Sequence, residues 1–425
     1  MPREYVLWVV ALGVLALLAP SARAIAQDSD QAALALADRA DVQAQAPRPC
    51  TELAEGTAGA TTLGDGRAPL DGGRASYDLR CDDSPGAHWS AALSDRLDYL
   101  WGRGGSAETI NTLKEAYLTW RAAPDQLFDL GRINVREGVG LAYDPTDYFR
   151  ADAIRTFLSP DPQTLRTERL GSAMLRSQTL WSTGSLTAIY SPHLASHPSG
   201  SSLNPDFGAS NSRNRWLLLL SQRIGDGLQP QWLLTGADGE SPQAGLDLTA
   251  LPTAATVVYV EWSGGRSADN LARSGAEPTV RAADAFHSRL STGITYTTSF
   301  NLSLSLEYEY DGAAPDGRQW AALRSMPGPF VQYREYVAGQ QDLATRQNVF
   351  AYAHWDGIGL QRLELTLLAR VDPYDHSRLE WGEVRYDWRR TGLAVQWQRN
   401  DGPAASDFSL WPARQSWLAV IDYYL

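Results

Sequence analysis

Six histidines, His88, His193, His197, His287, His354 and His376, are the first residues to weigh for chemistry in this chain. A general base needs a nucleophile within hydrogen-bond reach. Ser288 sits directly after His287, but adjacent strand residues point to opposite faces, so the two cannot couple without a bulge. His193 and His197 have the i, i+4 spacing that holds a metal on a helix. Pro192 and Pro198 flank them and argue against that helix. "YDHS", Tyr374 to Ser377, reads as a turn. No acidic stretch has EF-hand calcium-loop spacing. The expectation is therefore no catalytic residue, no metal and no cofactor.

Glycine offers a second chemistry. In "GRINVREGVGLAYDPTDYFR", Gly131 to Arg150, the pair Gly138 and Gly140 suggests a phosphate cradle. A dinucleotide fingerprint needs a third glycine and a helix after it. Neither is present, and Pro145 breaks the segment where that helix would begin. The better reading is a strand, with Ile133 and Val135 on one face and Arg132, Asn134 and Arg136 on the other. Gly138 and Gly140 then bend the chain. Asp144, Pro145, Asp147 and Arg150 form an aromatic-flanked turn or constriction.

The elements that would position these residues are strands. In "FNLSLSLEYEYDG", Leu302, Leu304, Leu306, Tyr308 and Tyr310 alternate with Ser303, Ser305, Glu307 and Glu309, a period of two over a whole strand. Val384, Tyr386 and Trp388 oppose Glu383, Arg385, Asp387 and Arg389. Leu393, Val395 and Trp397 lie across the tight turn "RRTG", which makes a hairpin. Leu363, Leu365 and Leu367 oppose Arg362, Glu364 and Thr366. Helical patterning is sparse, with one short loop helix expected in "RTFLSPDPQTLRTERL", Arg155 to Leu170.

Composition narrows the class. The formal net charge is −12, which argues against a nucleic-acid partner. Lys114 is the only lysine. The N-terminus has a positive start, an apolar run from Tyr5 to Leu18 and A-x-A sites ending at Ala26, so residues 1–26 read as a secretory signal peptide. Export makes a Cys50–Cys81 disulfide the default for the only two cysteines. Residues 27–85 are rich in Ala, Gly, Asp and Thr and are expected to be a largely irregular, disulfide-tied leader. Residues 86–425 carry the strands.

A soluble sandwich and a membrane barrel both give alternation. Aromatics near strand ends, including Trp262, Trp355, Trp381 and Trp388, favour a barrel with interfacial girdles. Strands of about 9–11 residues with both short turns and long polar loops favour it too. So the expectation is an all-β fold, an antiparallel transmembrane β-barrel of about 14 strands (range 12–16).

The chain ends on "QSWLAVIDYYL", with Trp417, Ala419, Ile421, Tyr423 and Leu425 on one face. This resembles the C-terminal targeting strand of Gram-negative outer-membrane proteins, although Leu425 stands where that family usually has Phe or Trp. The stretch from Gly131 also resembles porin-like families of the alginate-export type. Gly131, Arg132 and Gly138 match a strand motif there. Pro145, Thr146, Asp147 and Tyr148 match the loop, and Asp144 replaces an Asn.

The resemblance implies a pore in the cell outer membrane that passes small polar or anionic solutes. The expected lumen wall is Arg132, Asn134, Arg136, Glu307, Glu309, Arg362, Glu364, Glu383, Arg385, Asp387 and Arg389. Cross-strand pairing is the expected job of most of the late charges. Outer-membrane lipid, lipopolysaccharide and, through the C-terminal strand, the barrel-assembly machinery are the expected partners. The alternatives are a non-conducting barrel with an envelope-assembly, export-complex or adhesion role, and a barrel hydrolase.

Overall fold

The computed structural model describes residues 50–64, 69–102, 107–199, 201–225, 227–276, 284–409 and 413–425. The signal peptide and residues 27–49 of the leader lie outside the described residues.

Eighteen strands pair antiparallel in sequence order, and the last pairs back with the first, closing a barrel. They are β1 (Cys50–Leu63), β2 (Leu70–Gly86), β3 (Trp89–Gly102), β4 (Glu108–Ala123), β5 (Gln126–Ile133) and β6 (Ser172–Trp181). Next come β7 (Gly184–Ser191), β8 (Arg215–Gln222), β9 (Leu228–Ala237), β10 (Gln243–Thr253), β11 (Thr256–Ser267) and β12 (Ala285–Thr297). The last six are β13 (Leu302–Asp311), β14 (Gln347–Asp356), β15 (Leu363–Val371), β16 (Arg378–Asp387), β17 (Thr391–Asp401) and β18 (Ala413–Tyr424).

The count exceeds the expected fourteen and its range. Part of the excess lies in the leader, where Cys50–Leu63 and Leu70–Gly86 are strands. The barrel therefore begins at Cys50, not at residue 86. The Cys50–Cys81 disulfide forms, but it joins two directly opposed residues of neighbouring wall strands. It staples the barrel itself rather than a loose leader.

Alternation sets the two faces. Leu93, Leu97, Leu118, Leu130, Leu175, Leu218, Leu234, Ile294, Leu304, Leu306, Val384 and Val395 are exposed large apolar side chains around the outer wall. Their inward neighbours, such as Asp98, Asp129, Leu217, Glu307 and Ala394, are buried. An apolar outside and a polar inside suit a bilayer. Trp89, Trp120, Trp181, Tyr296, Phe300 and Trp388 are exposed at the short-turn end, and Tyr99, Trp101, Tyr190 and Trp417 toward the other. These are two interfacial girdles. Asp95 departs from the rule. It alternates with outward Leu93 and Leu97, opposite Leu79 and Leu113, and Asn111 donates to its carboxylate at 3.0 Å.

Short turns join even strands to odd ones, and the long connections lie at the opposite end, as between periplasm and exterior. Residues 134–171 form the loop after β5, with helix α1 (Pro162–Thr167) as expected. α2 (Phe207–Ser210) lies in the loop after β7, and α3 (Asn270–Arg273) in the loop after β11. The loop after β13 carries α4 (Gly317–Arg324) and α5 (Pro327–Gln340). "MPGPF" hides α5 in the sequence, because a proline opening a helix looks like a breaker. Trp320, Leu323, Phe330, Tyr333 and Val337 of this hairpin pack with Leu271, Ala276 and Ala344.

Candidate functional site: a loop held across the lumen

The loop 134–171 leaves the wall at Ile133 and turns inward. Its first anchor is apolar. Ile133, Val135 and Phe149 pack against Met174, Ile189, Leu217, Leu219 and Leu233, inward residues of β6 to β9. Their burial contributes about 1.5–3 kcal/mol per large side chain.

Its second anchor is ionic. Glu261, inward on β11, accepts the backbone N–H groups of Val139 at 2.7 Å, Gly140 at 2.7 Å and Thr146 at 2.7 Å, and the Thr146 hydroxyl at 2.8 Å. Glu307, inward on β13, accepts the N–H groups of Leu141 at 2.5 Å, Ala142 at 3.1 Å and Tyr143 at 3.0 Å, and also the Tyr259 hydroxyl. Two buried carboxylates thus satisfy six backbone donors. Hydrogen bonds to a charged acceptor are the strong kind, roughly 1.5–3 kcal/mol each. The glycine-rich stretch does cradle anions, and the anions are the protein's own side chains.

This close approach explains the glycines. Gly138 has φ +97°, and a Cβ there would sit 2.8 and 2.9 Å from the Glu261 oxygens. A Cβ on Gly140 would sit 2.9 Å from the Ser291 hydroxyl and also run into the Tyr143 carbonyl.

Within the loop, Arg166 donates to the carbonyls of Glu137 at 3.1 Å and Gly138 at 3.0 Å and pairs with Asp144 at 3.1 Å. Arg169 pairs with Asp147 at 2.6 Å and donates to Asn134 at 2.8 Å. Arg150 bonds the Asp144 carbonyl and reaches Asp342 at 2.5 Å, tying the loop to the segment after α5. Pro145 is buried in the same turn. α1 then spans toward two walls: its N-cap Asp161 accepts from Tyr352 on β14 at 3.3 Å, and its C-cap Glu168 pairs with Lys114 on β4 at 3.1 Å. Leu141 and Ala142 also rest on inward Phe350, Leu368 and Trp381.

Several expected lumen residues sit elsewhere. Arg132 aligns with outward Ala116 and Ala173, so it faces away from the lumen. It is buried with its guanidinium 4.7 Å from the centre of the Phe207 ring. Asn134 is buried inside the loop, bonding the Arg166 carbonyl at 3.0 Å. Arg362, with φ +81°, and Arg389 lie in short turns beyond the strand ends and are exposed. The alternating pattern runs on in the sequence past the point where the strands stop.

Others lie on the inward face. Glu309 pairs with Arg370 at 2.6 Å. Arg385 pairs with Glu383 at 3.0 Å, bonds Asp422, and lies 3.8 Å from Asp387. Glu364 aligns with inward Arg385. Arg176, on the next wall, pairs with Asp129 at 2.7 Å.

Arg136 is different. It is exposed, and its side chain makes no hydrogen bond or ion pair among the described residues. Desolvation lowers its pKa, and Arg169, Arg80 and Arg166 add repulsion against the attraction of Glu115. Beside it, burial together with the Asp147 charge pushes Glu137 up to about 7, against the pull of Arg176 and Arg166. Burial likewise raises Asp144 well above the usual carboxylate range, opposed by Arg166.

Sequence reasoning missed Glu261 and Asp342. A lone acid in the apolar run "ATVVYVEW" was the available signal for Glu261. His287 sits 3.1 Å from the Gly312 carbonyl, and Ser288 alternates to the other face.

No family model and no curated protein matches the chain. Solved structures do match in fold. Pseudomonas aeruginosa OpdQ aligns at TM-score 0.55 and 9% identity over 88% of this chain and 98% of that one. Acinetobacter baumannii OccAB1 aligns at 0.54 and 10% identity over 88% and 96%. Pseudomonas aeruginosa OccK2, solved in complex with glucuronate, aligns at 0.53 and 11% identity over 89% and 97%. The chain has the closed-barrel fold of these proteins.

Proposed function

We propose that the chain is a channel of the Gram-negative outer membrane for small polar or anionic solutes. The carrying observation is the unpaired Arg136 on a loop fastened across the lumen, with Arg80, Arg166 and Arg169 close enough to feel its charge. Barrels of 16–18 strands are wide enough for an aqueous path. A loop held inside narrows that path, and fixed charges at the narrowing select the ion. Glucuronate, the ligand of the similarly folded OccK2, is a small carboxylate of the kind such a cation would attract.

In this reading a solute passes Arg136 and Glu137 on the loop and then Glu383, Arg385, Asp387 and Glu364 on the wall. The apolar outer band meets outer-membrane lipid and lipopolysaccharide, and the terminal strand β18 addresses the barrel-assembly machinery.

Reversal potentials across a planar bilayer under a KCl gradient test it. Arg136→Glu shifts selectivity toward cations, with no loss of heat-modifiable gel migration. Wild-type selectivity moves toward anions as pH falls through about 7, because protonation removes the Glu137 charge. Glu137→Gln abolishes that pH step. Absence of any current from the folded protein contradicts the channel reading and favours the non-conducting barrel.

A further inference from the structure

Arg362 and Arg389 lie in neighbouring turns at the short-turn rim. The turn 357–362 and the turn 388–390 abut: the Asp387 N–H donates to the Arg362 carbonyl at 3.2 Å. The Tyr424 N–H donates to the Arg390 carbonyl at 2.8 Å, which fixes the second turn against the end of the last strand. Arg362, Arg389 and Arg390 are all exposed, and their side chains make no hydrogen bond or ion pair among the described residues.

Three acids near these turns belong to the inward face. Asp387 and Glu364 are inward wall positions, and Asp387 lies 3.8 Å from Arg385. Asp356 aligns with Glu364 on the same inward side.

The depth of the patch identifies what it meets. Trp388 shares the turn with Arg389 and is 49% exposed. An exposed indole ring on the outer face marks the headgroup level of a membrane. Leu360, at the tip of the neighbouring turn, is 61% exposed and adds an apolar foot. Unpaired guanidinium groups at that level sit where lipid phosphates are.

We propose that these two turns form a binding site for an anionic phospholipid headgroup in the periplasmic leaflet. Arg362, Arg389 and Arg390 bind the phosphate, Trp388 sits at the glycerol level, and Leu360 enters the acyl boundary. The site depends on the barrel lying in a membrane and is independent of whether the lumen conducts.

The test uses the full chain refolded into phosphatidylcholine bilayers with spin-labelled phosphatidylglycerol or spin-labelled phosphatidylcholine as probe. The motionally restricted fraction gives the relative association of each lipid. Wild type favours phosphatidylglycerol about fivefold or more at low salt, the scale of one interfacial arginine. That preference disappears in R362Q/R389Q/R390Q and at high salt. It survives R378Q/R399Q, which removes ion-paired arginines near the opposite rim. Heat-modifiable migration confirms that each variant is folded. Equal association of the two lipids with wild type overturns the site, as does a preference that survives the triple substitution. Binding of an acidic polypeptide there without lipid preference also overturns it.

Discussion

The crossing loop is fastened on two sides of the barrel by opposite physics. On β6 to β9 it rests on an apolar seat of Met174, Ile189, Leu217, Leu219 and Leu233. On β11 and β13 it is clasped by Glu261 and Glu307. A seat spreads its energy over many contacts, so each side chain carries a share and neighbours can relax into a gap. A clasp concentrates it. Each carboxylate meets three backbone donors, and removing one leaves those donors buried without partners. The seat therefore tolerates change, while the clasp fails as a unit.

The largest expected effect comes from breaking the clasp. Glu261→Ala with Glu307→Ala orphans six amides at about 1–3 kcal/mol each, more than the loop can retain. The loop leaves the lumen, single-channel conductance rises severalfold, and the barrel still shows heat-modifiable migration. Next comes Gly140→Ala, which drives a methyl toward the Tyr143 carbonyl and the Ser291 hydroxyl. Amide exchange at Val139 to Tyr143 accelerates there, while exchange in β11 and β13 does not change. If those amides exchange in wild type at the rate of an open loop, the clasp is absent.

The smallest effect comes from the seat. Leu217→Ala costs about 2–5 kcal/mol of stability by cavity formation. It lowers the unfolding midpoint in urea and leaves conductance near wild type. A conductance rise matching that of the carboxylate pair would erase the distinction between seat and clasp.

The sequence exposes one half of this architecture better than the other. Strand faces are legible because alternation is local: Leu304, Leu306, Glu307 and Glu309 sort as expected. The barrel start is not. The outward residues of β1 and β2 include Ala54, Gly56, Ala58, Ala60, Gly73 and Ala75, too small to raise a hydrophobic signal. Strand ends also escape a periodicity count, so pattern alone puts Arg362 and Arg389 on the wall when they belong to the turns. Arg132 departs from expectation for a different reason. The loop after β7 covers it with Phe207, so a charge can occupy an outward position. The clasp is beyond the reach of local pattern because it joins residues 115 to 166 positions apart. Its glycines are visible, but the anions they wrap lie three and four strand pairs further around the barrel.

In the proposed channel, the loop tied to Glu261 and Glu307 sets the passage through the barrel. Single-channel conductance of the Glu261→Ala, Glu307→Ala protein beside wild type tests it most directly. A severalfold larger, less anion-selective current is the predicted result. A current identical to wild type, from a barrel shown to be folded, contradicts it.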